Sequence, residues 1–265
     1  MLRAGPVLIA VLAVPAAMIW GVIIGVRALA HASLAGNELF TLRQYELHSD
    51  GRLTPALIRE YAALPEEGVN VFALDLRAIR ERLERVPRVR SATTALRLPD
   101  TLVIHVVERA AIAHVHIEGR PFMLAVDRMG HVLGPSSALP HLPVIEGVRQ
   151  PGLGPGGVVT DAAARDALSL LDLCDRTPIG RRLQISRIAV SDSDRMDVRL
   201  AGGEHVWMPR HGVERKLREL MSILWAIEDL RMAPDRNRIV IDMTTDERFP
   251  VRGLAPGQTA AGTTG

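Results

Sequence analysis

One cysteine in 265 residues, Cys174, leaves no internal disulfide to form, so an oxidising compartment would be tolerated without being exploited. Aromatic residues are scarce at 3%, which argues against proteins that stack bases or sugars on rings. Charge of one sign is also missing. The 32 Lys+Arg nearly cancel the 30 Asp+Glu, and a net charge of +2 generates no whole-molecule field toward DNA or lipid. The motifs of common chemistry are absent too: there is no Gly-x-Ser-x-Gly, Ser-x-x-Lys or His-Glu-x-x-His, and no Walker or Gly-x-Gly-x-x-Gly loop opens a helix after a strand. The expectation is no catalytic residue, no cofactor, no metal, no nucleic acid and no small-molecule substrate.

What the chain does have is 48% hydrophobic and 23% charged residues, the balance of a packed globular protein, and enough length for two modest domains. The N-terminus carries the clearest segment. Residues 5–26 hold no charge, and about 22 residues suffice to cross a ~30 Å hydrocarbon core as a helix. Pro15 is tolerated in such a helix, and Trp20 suits an interface. The competing reading is a cleavable signal peptide, with Arg3 as its positive region and Ala28-Leu29-Ala30 as an A-x-A site. A signal h-region is shorter than this run, so a retained anchor over 5–27 is expected; a buried soluble helix ranks behind both. Residues 1–4 form a cytoplasmic stub. The body lies outside in the anchor and signal readings alike.

Turn and periodicity signals then place a strand over 39–47, ended at Ser49-Asp50-Gly51. A helix follows, with Thr54 as cap and Pro55 at its first position. A second helix over 75–85 has Leu76, Ile79 and Leu83 at helical spacing, and two strands, 89–98 and 101–107, join at Pro99-Asp100. The order is β-α-α-β-β.

Several pieces occur in sequence: Gly68-x-Asn70-x-Phe72, Pro87-x-Val89, Arg97-x-Pro99-x-Thr101-Leu102 and Val107-Glu108-Arg109. Directly after an N-terminal anchor, this set resembles the POTRA domain of the FtsQ/DivIB cell-division family. One departure is that Ala110-Ala111 follow the Glu-Arg pair where the family usually has a residue and then Pro, which removes a φ restraint.

The POTRA-like domain is assigned to 36–109 and a β-rich domain to 110–252. The latter should contain strands over 113–117 and 122–126, a turn at Asp127-x-x-Gly130, and a Gly/Pro-rich stretch, 149–159, expected as a mobile loop. Asp127-x-x-Gly130-x-Val132 and Leu139-Pro140-x-Leu142-Pro143-Val144-Ile145-x-Gly147 also resemble the family. A helix capped by Thr160 or Asp161 precedes strands at 183–190, 196–201 and 204–208. The helix over 213–230 carries Val213, Leu217, Leu220, Leu224 and Ile227 on one stripe, with Arg215, Lys216, Arg218 and Glu219 outside it. Segments 238–243 and 248–252 make a terminal strand pair, and residues 253–265 a disordered tail. The fold class is α+β: one transmembrane helix, the small POTRA-like domain, and a β-rich domain with two helices.

Histidines 114 and 116 share one face of a strand, with His105 on another strand, the minimum for a metal site, yet no acidic or cysteine partner joins them at ligand spacing. Asp192, Asp194 and Asp197 lack the Gly and distal Glu of a calcium loop and read as a solvated turn. The resemblance implies a single-pass inner-membrane division scaffold whose terminal strands dock the small coiled-coil proteins FtsB and FtsL, and whose POTRA-like domain contacts other division or wall-synthesis proteins through its sheet edge. The partner-binding residues it points to are Ile241, Met243, Thr244, Thr245, Phe249, Val251 and Arg252. A plain structural strand pair is the competing reading. Thr244-Thr245 stand where the family often has an Arg and an aromatic, and Pro250 removes one donor from the last strand. The rival functions are a POTRA-bearing transport or secretion component, which would repeat the unit or add a barrel, and a secreted hydrolase, which would need a convergent polar cluster.

Overall fold

Proline, glycine and side-chain caps divide the chain where the structure breaks. The computed structural model describes residues 38–66, 68–136, 141–178, 183–192, 194–229, 239–245 and 249–252. It separates into two units, 1–108 and 109–265. The expected span 5–27 and tail 253–265 lie outside the described residues, and among the described residues no helix is long and apolar enough to cross a membrane.

In the first unit, β1 (Gln44–Ser49), α1 (Pro55–Ala62), α2 (Leu76–Glu84), β2 (Val89–Arg97) and β3 (Thr101–Glu108) follow in order. The sheet order is β1-β3-β2, with β1 parallel to β3 and β2 antiparallel to it. Thr54 Oγ1 accepts the Leu57 N–H at 3.4 Å and Asp75 Oδ1 the Ala78 N–H at 2.9 Å, so each helix starts on an oxygen that satisfies an orphan donor. Ile58 and Ala62 from α1 and Ile79 and Leu83 from α2 bury against Leu102, Ile104 and Val106 of β3. Each such large side chain contributes roughly 1.5–3 kcal/mol of burial. The strand expected from residue 39 begins only at Gln44. Glu38–Phe40 wind into a 3-10 turn, Phe40 packs edge-on against Phe72 at 5.1 Å, and the Leu42 backbone pairs with Val69 and Gly68, not with β3.

In the second unit, β4 (Ala111–Ile117), β5 (Met123–Asp127), β6 (Val132–Pro135) and β7 (Val144–Val148) precede α3 (Ala162–Arg176). Then come β8 (Ile185–Ala189), β9 (Arg195–Leu200), β10 (His205–Pro209), α4 (Val213–Asp229), β11 (Val240–Asp242) and β12 (Val251–Arg252). One sheet joins them in the order β12-β11-β10-β9-β8-β7-β4-β5-β6. The parallel β7–β8 pair is crossed over by α3, and the parallel β10–β11 pair lies either side of α4 in sequence, the long connections that parallel neighbours require. Asp161 caps α3 through Oδ1, and Ala164, Leu168 and Leu171 lie on its buried side.

Three expectations change. The strand β6 was not legible, because Gly134 interrupts a four-residue segment. Residues 149–159, expected to be mobile, are held: Leu153 and Val159 are buried, the Arg120 guanidinium donates to the Leu153 and Pro151 carbonyls, and Gln150 bonds Val158 and Thr160. Leu153 and Val159 are the reason, since two apolar anchors in a glycine-rich loop fasten it to the core. Lys216, placed outside the helix stripe, is buried at 2% exposure.

Gly147 sits in a bulge of β7, where Val115 pairs Ile145 but Ile117 pairs Val148. Its φ is +82°, and an added Cβ would come within 2.4 Å of Ser191 Oγ and 3.0 Å of Ser191 N. Gly147→Ala is therefore expected to cost about 2 kcal/mol or more, from left-handed strain plus the forced shift of Ser191. A thermal melt showing a loss of several degrees checks it; an unchanged melting temperature contradicts it.

Candidate site: the C-terminal end of the sheet

The last two strands are short, so their position rests on more than the ladder. β11 pairs in parallel with β10, with the His205 N–H on the Ile239 carbonyl at 2.9 Å and the Met243 N–H on the Trp207 carbonyl at 2.8 Å. β12 pairs antiparallel with β11 alone and ends the strand order. The Asp242 N–H donates to the Pro250 carbonyl at 3.1 Å. Alternate residues of an antiparallel strand turn their backbone groups to opposite sides, so Pro250 and Arg252 face β11 while the Val251 N–H and C=O face outward. The donor that proline lacks is thus missing on the β11 side. The outer edge keeps its own.

Ile241 and Met243 are fully buried, so their side chains belong to the core and are not open to a partner. Phe249 and Val251 are half-buried against the same cluster, while Thr244, Thr245 and Arg252 are exposed. Thr244 closes a turn on Asp242, whose Oδ1 accepts its N–H at 2.9 Å and its hydroxyl at 2.5 Å. The sequence pattern missed Lys216. Its buried ammonium donates to the Thr245 carbonyl, stands 4.7 Å from the Phe249 ring centroid and lies 3.9 Å from Glu219 Oε2. The stripe assignment concealed it, because Lys216 adjoins Leu217 and Leu220 on the buried side of α4 and only its neighbours Arg215 and Arg218 are exposed.

The other candidates do not converge. His105 belongs to the first unit, where its ring stacks on His48 at 4.9 Å. In the second, His114 lies 2.5 Å from Ser136 Oγ and His116 Nε2 lies 2.9 Å from the Arg120 carbonyl. Asp192 pairs with Arg195 at 3.1 Å and accepts the Asp194 N–H, while Asp197 faces His205 at 3.4 Å. Among the described residues no group of three or more His, Cys, Asp or Glu is placed to hold a metal. Gly152-x-Gly154-x-x-Gly157 does fall between β7 and α3, yet Asp161 already occupies the helix start, bonding Ala164 and the Arg149 N–H at 3.1 Å. An anion would meet a carboxylate there.

Comparison with known proteins reads the same way along both units. Residues 40–109 match the family described as POTRA domain, FtsQ-type, and residues 118–243 match cell division protein FtsQ/DivIB, C-terminal. The chain is 30% identical over 208 residues to the cell division protein FtsQ of Syntrophotalea carbinolica, covering 77% of this chain and 72% of that one. This chain belongs to the FtsQ/DivIB family of cell-division proteins. The FtsQ of Caulobacter vibrioides is 30% identical over 195 residues, 72% of this chain and 58% of its own length. That of Novosphingobium aromaticivorans is 33% identical over 125 residues, 45% and 38% respectively.

The family's motif residues have visible work. Asn70 Oδ1 accepts the Phe72 N–H at 2.9 Å, starting the turn that brings Phe72 to Phe40. Glu108 Oε1 accepts from Ser49 Oγ and from the Leu53 N–H, each at 2.6 Å, fastening the end of β3 within the first unit. Arg109 donates to Asp127 Oδ2 at 3.0 Å within the second, and Asp127 Oδ1 accepts the Met129 and His131 N–H groups at 2.9 and 2.8 Å. The C-terminal family match stops at Met243, one residue before the turn that leads to β12.

Two outcomes are expected. Lys216→Met keeps the volume but removes the ammonium, leaving the Thr245 carbonyl and Glu219 with less compensation, at about 1–3 kcal/mol. Hydrogen exchange should speed at Ile241 and Asp242 more than in β4 or β5; a uniform change would contradict a local role. Burial holds the Cys174 thiol protonated, with its pKa pushed up to about 11. Thiol reagents at pH 8 should therefore leave it unlabelled until the protein is unfolded.

Proposed function

We propose that this FtsQ/DivIB-family chain is a single-pass inner-membrane scaffold of the division machinery. Residues 5–27 act as its anchor, the N-terminus is cytoplasmic and both units are extracytoplasmic. On this reading the outer edge of β12 takes a strand from an FtsB/FtsL-like coiled-coil partner and so helps recruit or regulate septal wall synthesis. The observation that carries the reading is the phase of β12: it ends the strand order with the Val251 N–H and C=O turned away from β11. An edge strand with free backbone groups is a template for strand addition. Main-chain bonds would supply affinity, and Phe249, Thr244, Thr245 and Arg252 would supply selectivity. Ile241 and Met243 act from behind, by holding β11 in the core.

The Val251 side chain packs toward the core, so a charge there would confound folding with docking. Proline is the cleaner change: an edge strand tolerates it where the N–H faces outward, and the outward donor is lost. In full-length protein co-expressed with an FtsB/FtsL-like pair, Val251→Pro should reduce co-purification about tenfold, the loss of one main-chain hydrogen bond at the upper end of its usual worth. Arg252→Glu should reduce it less, while both variants keep the melting temperature within a few degrees. Undiminished co-purification with both variants would remove this edge from the proposal. A fluorescent fusion that spreads uniformly around the envelope instead of gathering at midcell would remove the division role.

A further inference from the structure

We propose that His48 and His105 form a two-histidine chelate for a late first-row divalent cation, Zn²⁺ above all, which clips β1 to β3. The site lies within the first unit and is independent of β12. Sequence alone groups His105 with His114 and His116, which the fold assigns to the other unit. The parallel register of β1 on β3 instead sets His48 directly beside His105.

The ladder fixes which way both rings point. Leu102, Ile104 and Val106 of β3 alternate into the core, so His105 stands on the opposite face of the sheet. On β1, Tyr45 and Leu47 pack against that same core and His48 stands outside it. Both rings are exposed. Their centroids are 4.9 Å apart and their planes 15° from parallel. Two imidazole nitrogens bound to one Zn²⁺ at about 2.0–2.1 Å sit roughly 3 Å apart, so a turn of either side chain about its own χ angles closes the difference. The strand pairing already restricts both Cβ positions, which is what separates a chelate from two unrelated surface histidines.

The surroundings favour a borderline metal over Mg²⁺ or Ca²⁺. Glu46 and Asp50 flank His48, two residues to either side, but Glu46 bonds Arg97 and Asp50 Oδ1 accepts the Glu108 N–H at 2.7 Å. Among the described residues neither completes a set of three donors with the histidines. They contribute negative charge near the site, which attracts a cation, without serving as ligands. Nitrogen donors without a carboxylate suit Zn²⁺, Ni²⁺ or Cu²⁺ and offer little to cations that need a cage of oxygens. Water fills the remaining positions. Because β1 has β3 as its single neighbouring strand, a metal across this pair reinforces the one ladder that holds it.

The test uses full-length, untagged protein in a zwitterionic detergent, titrated with ZnCl₂ and, as control, MgCl₂. Calorimetry reads the affinity, and diethyl pyrocarbonate labelling reads each histidine. Zn²⁺ should bind saturably and Mg²⁺ should not, and Zn²⁺ should shield His48 and His105 from the reagent while the exposed His141 and His211 stay reactive. His48→Ala should weaken Zn²⁺ about a hundredfold, the loss of chelation. His105→Phe, which keeps a stacked ring without a donor nitrogen, should weaken it as much, whereas His141→Ala combined with His211→Ala should leave it unchanged. Acidification should release the metal, because protons compete for the same lone pairs. Wild-type Zn²⁺ affinity in either His48→Ala or His105→Phe, shielding spread evenly over the exposed histidines, or no saturable Zn²⁺ binding would overturn the proposal.

Discussion

The buried ammonium of Lys216 is the interaction on which the C-terminal end of the sheet depends. A cation taken out of water costs several kcal/mol unless it is compensated, and here the Thr245 carbonyl and the Phe249 ring contribute to that compensation, with Glu219 beside it on α4. β12 has two residues and a single neighbour, far too little ladder to fix its own place. Phe249, two residues before β12, lies beside the Lys216 ammonium, so α4 helps to hold the strand's start.

That dependence explains which parts of the protein the sequence disclosed. Local chemistry was legible: Thr54 is a helix cap in fact, Asp161 is the one of the two offered residues that caps α3, and the 3.6-residue spacing of Ile79 and Leu83 marks the face that packs on β3. Strand edges were less so, because the length of a strand is decided by its neighbour. Leu42 would continue β1 on propensity, yet its backbone goes to Gly68 and Val69. At the candidate site the shortfall was larger. Nothing in the pattern of α4 separates a lysine that points to water from one whose ammonium reaches a backbone carbonyl 29 residues later, that of Thr245 in the turn after β11. Likewise, Pro250 signals a lost donor, but only the register says toward which neighbour the donor is lost.

The two units treat their open edges in opposite ways. On β2 the chain covers part of the edge itself, with the Glu84 carboxylate on the Ala92 N–H and arginines about the bulge at Arg90, two of the means by which natural sheets discourage indiscriminate pairing. On β12 the guard is brevity: two residues offer one outward N–H and one outward C=O, too few to recruit a strand without help.

Because so few backbone groups are on offer at β12, the energy of any strand added there has to come largely from its neighbours. One outward main-chain pair contributes on the order of 1 kcal/mol net, which cannot hold a complex. Among the described residues Phe249 is half-buried and Thr244, Thr245 and Arg252 are exposed, so these four offer a little apolar surface, two hydroxyls and a guanidinium. A partner fitting that surface needs one apolar side chain over Phe249 and an acceptor for Arg252, and it gains most if it is already held nearby. Tethering both proteins to one membrane would raise the effective concentration of the second contact well above that of free proteins. On the proposed reading, a short edge that is weak alone and adequate once its partner is confined would suit an assembly which must form and come apart.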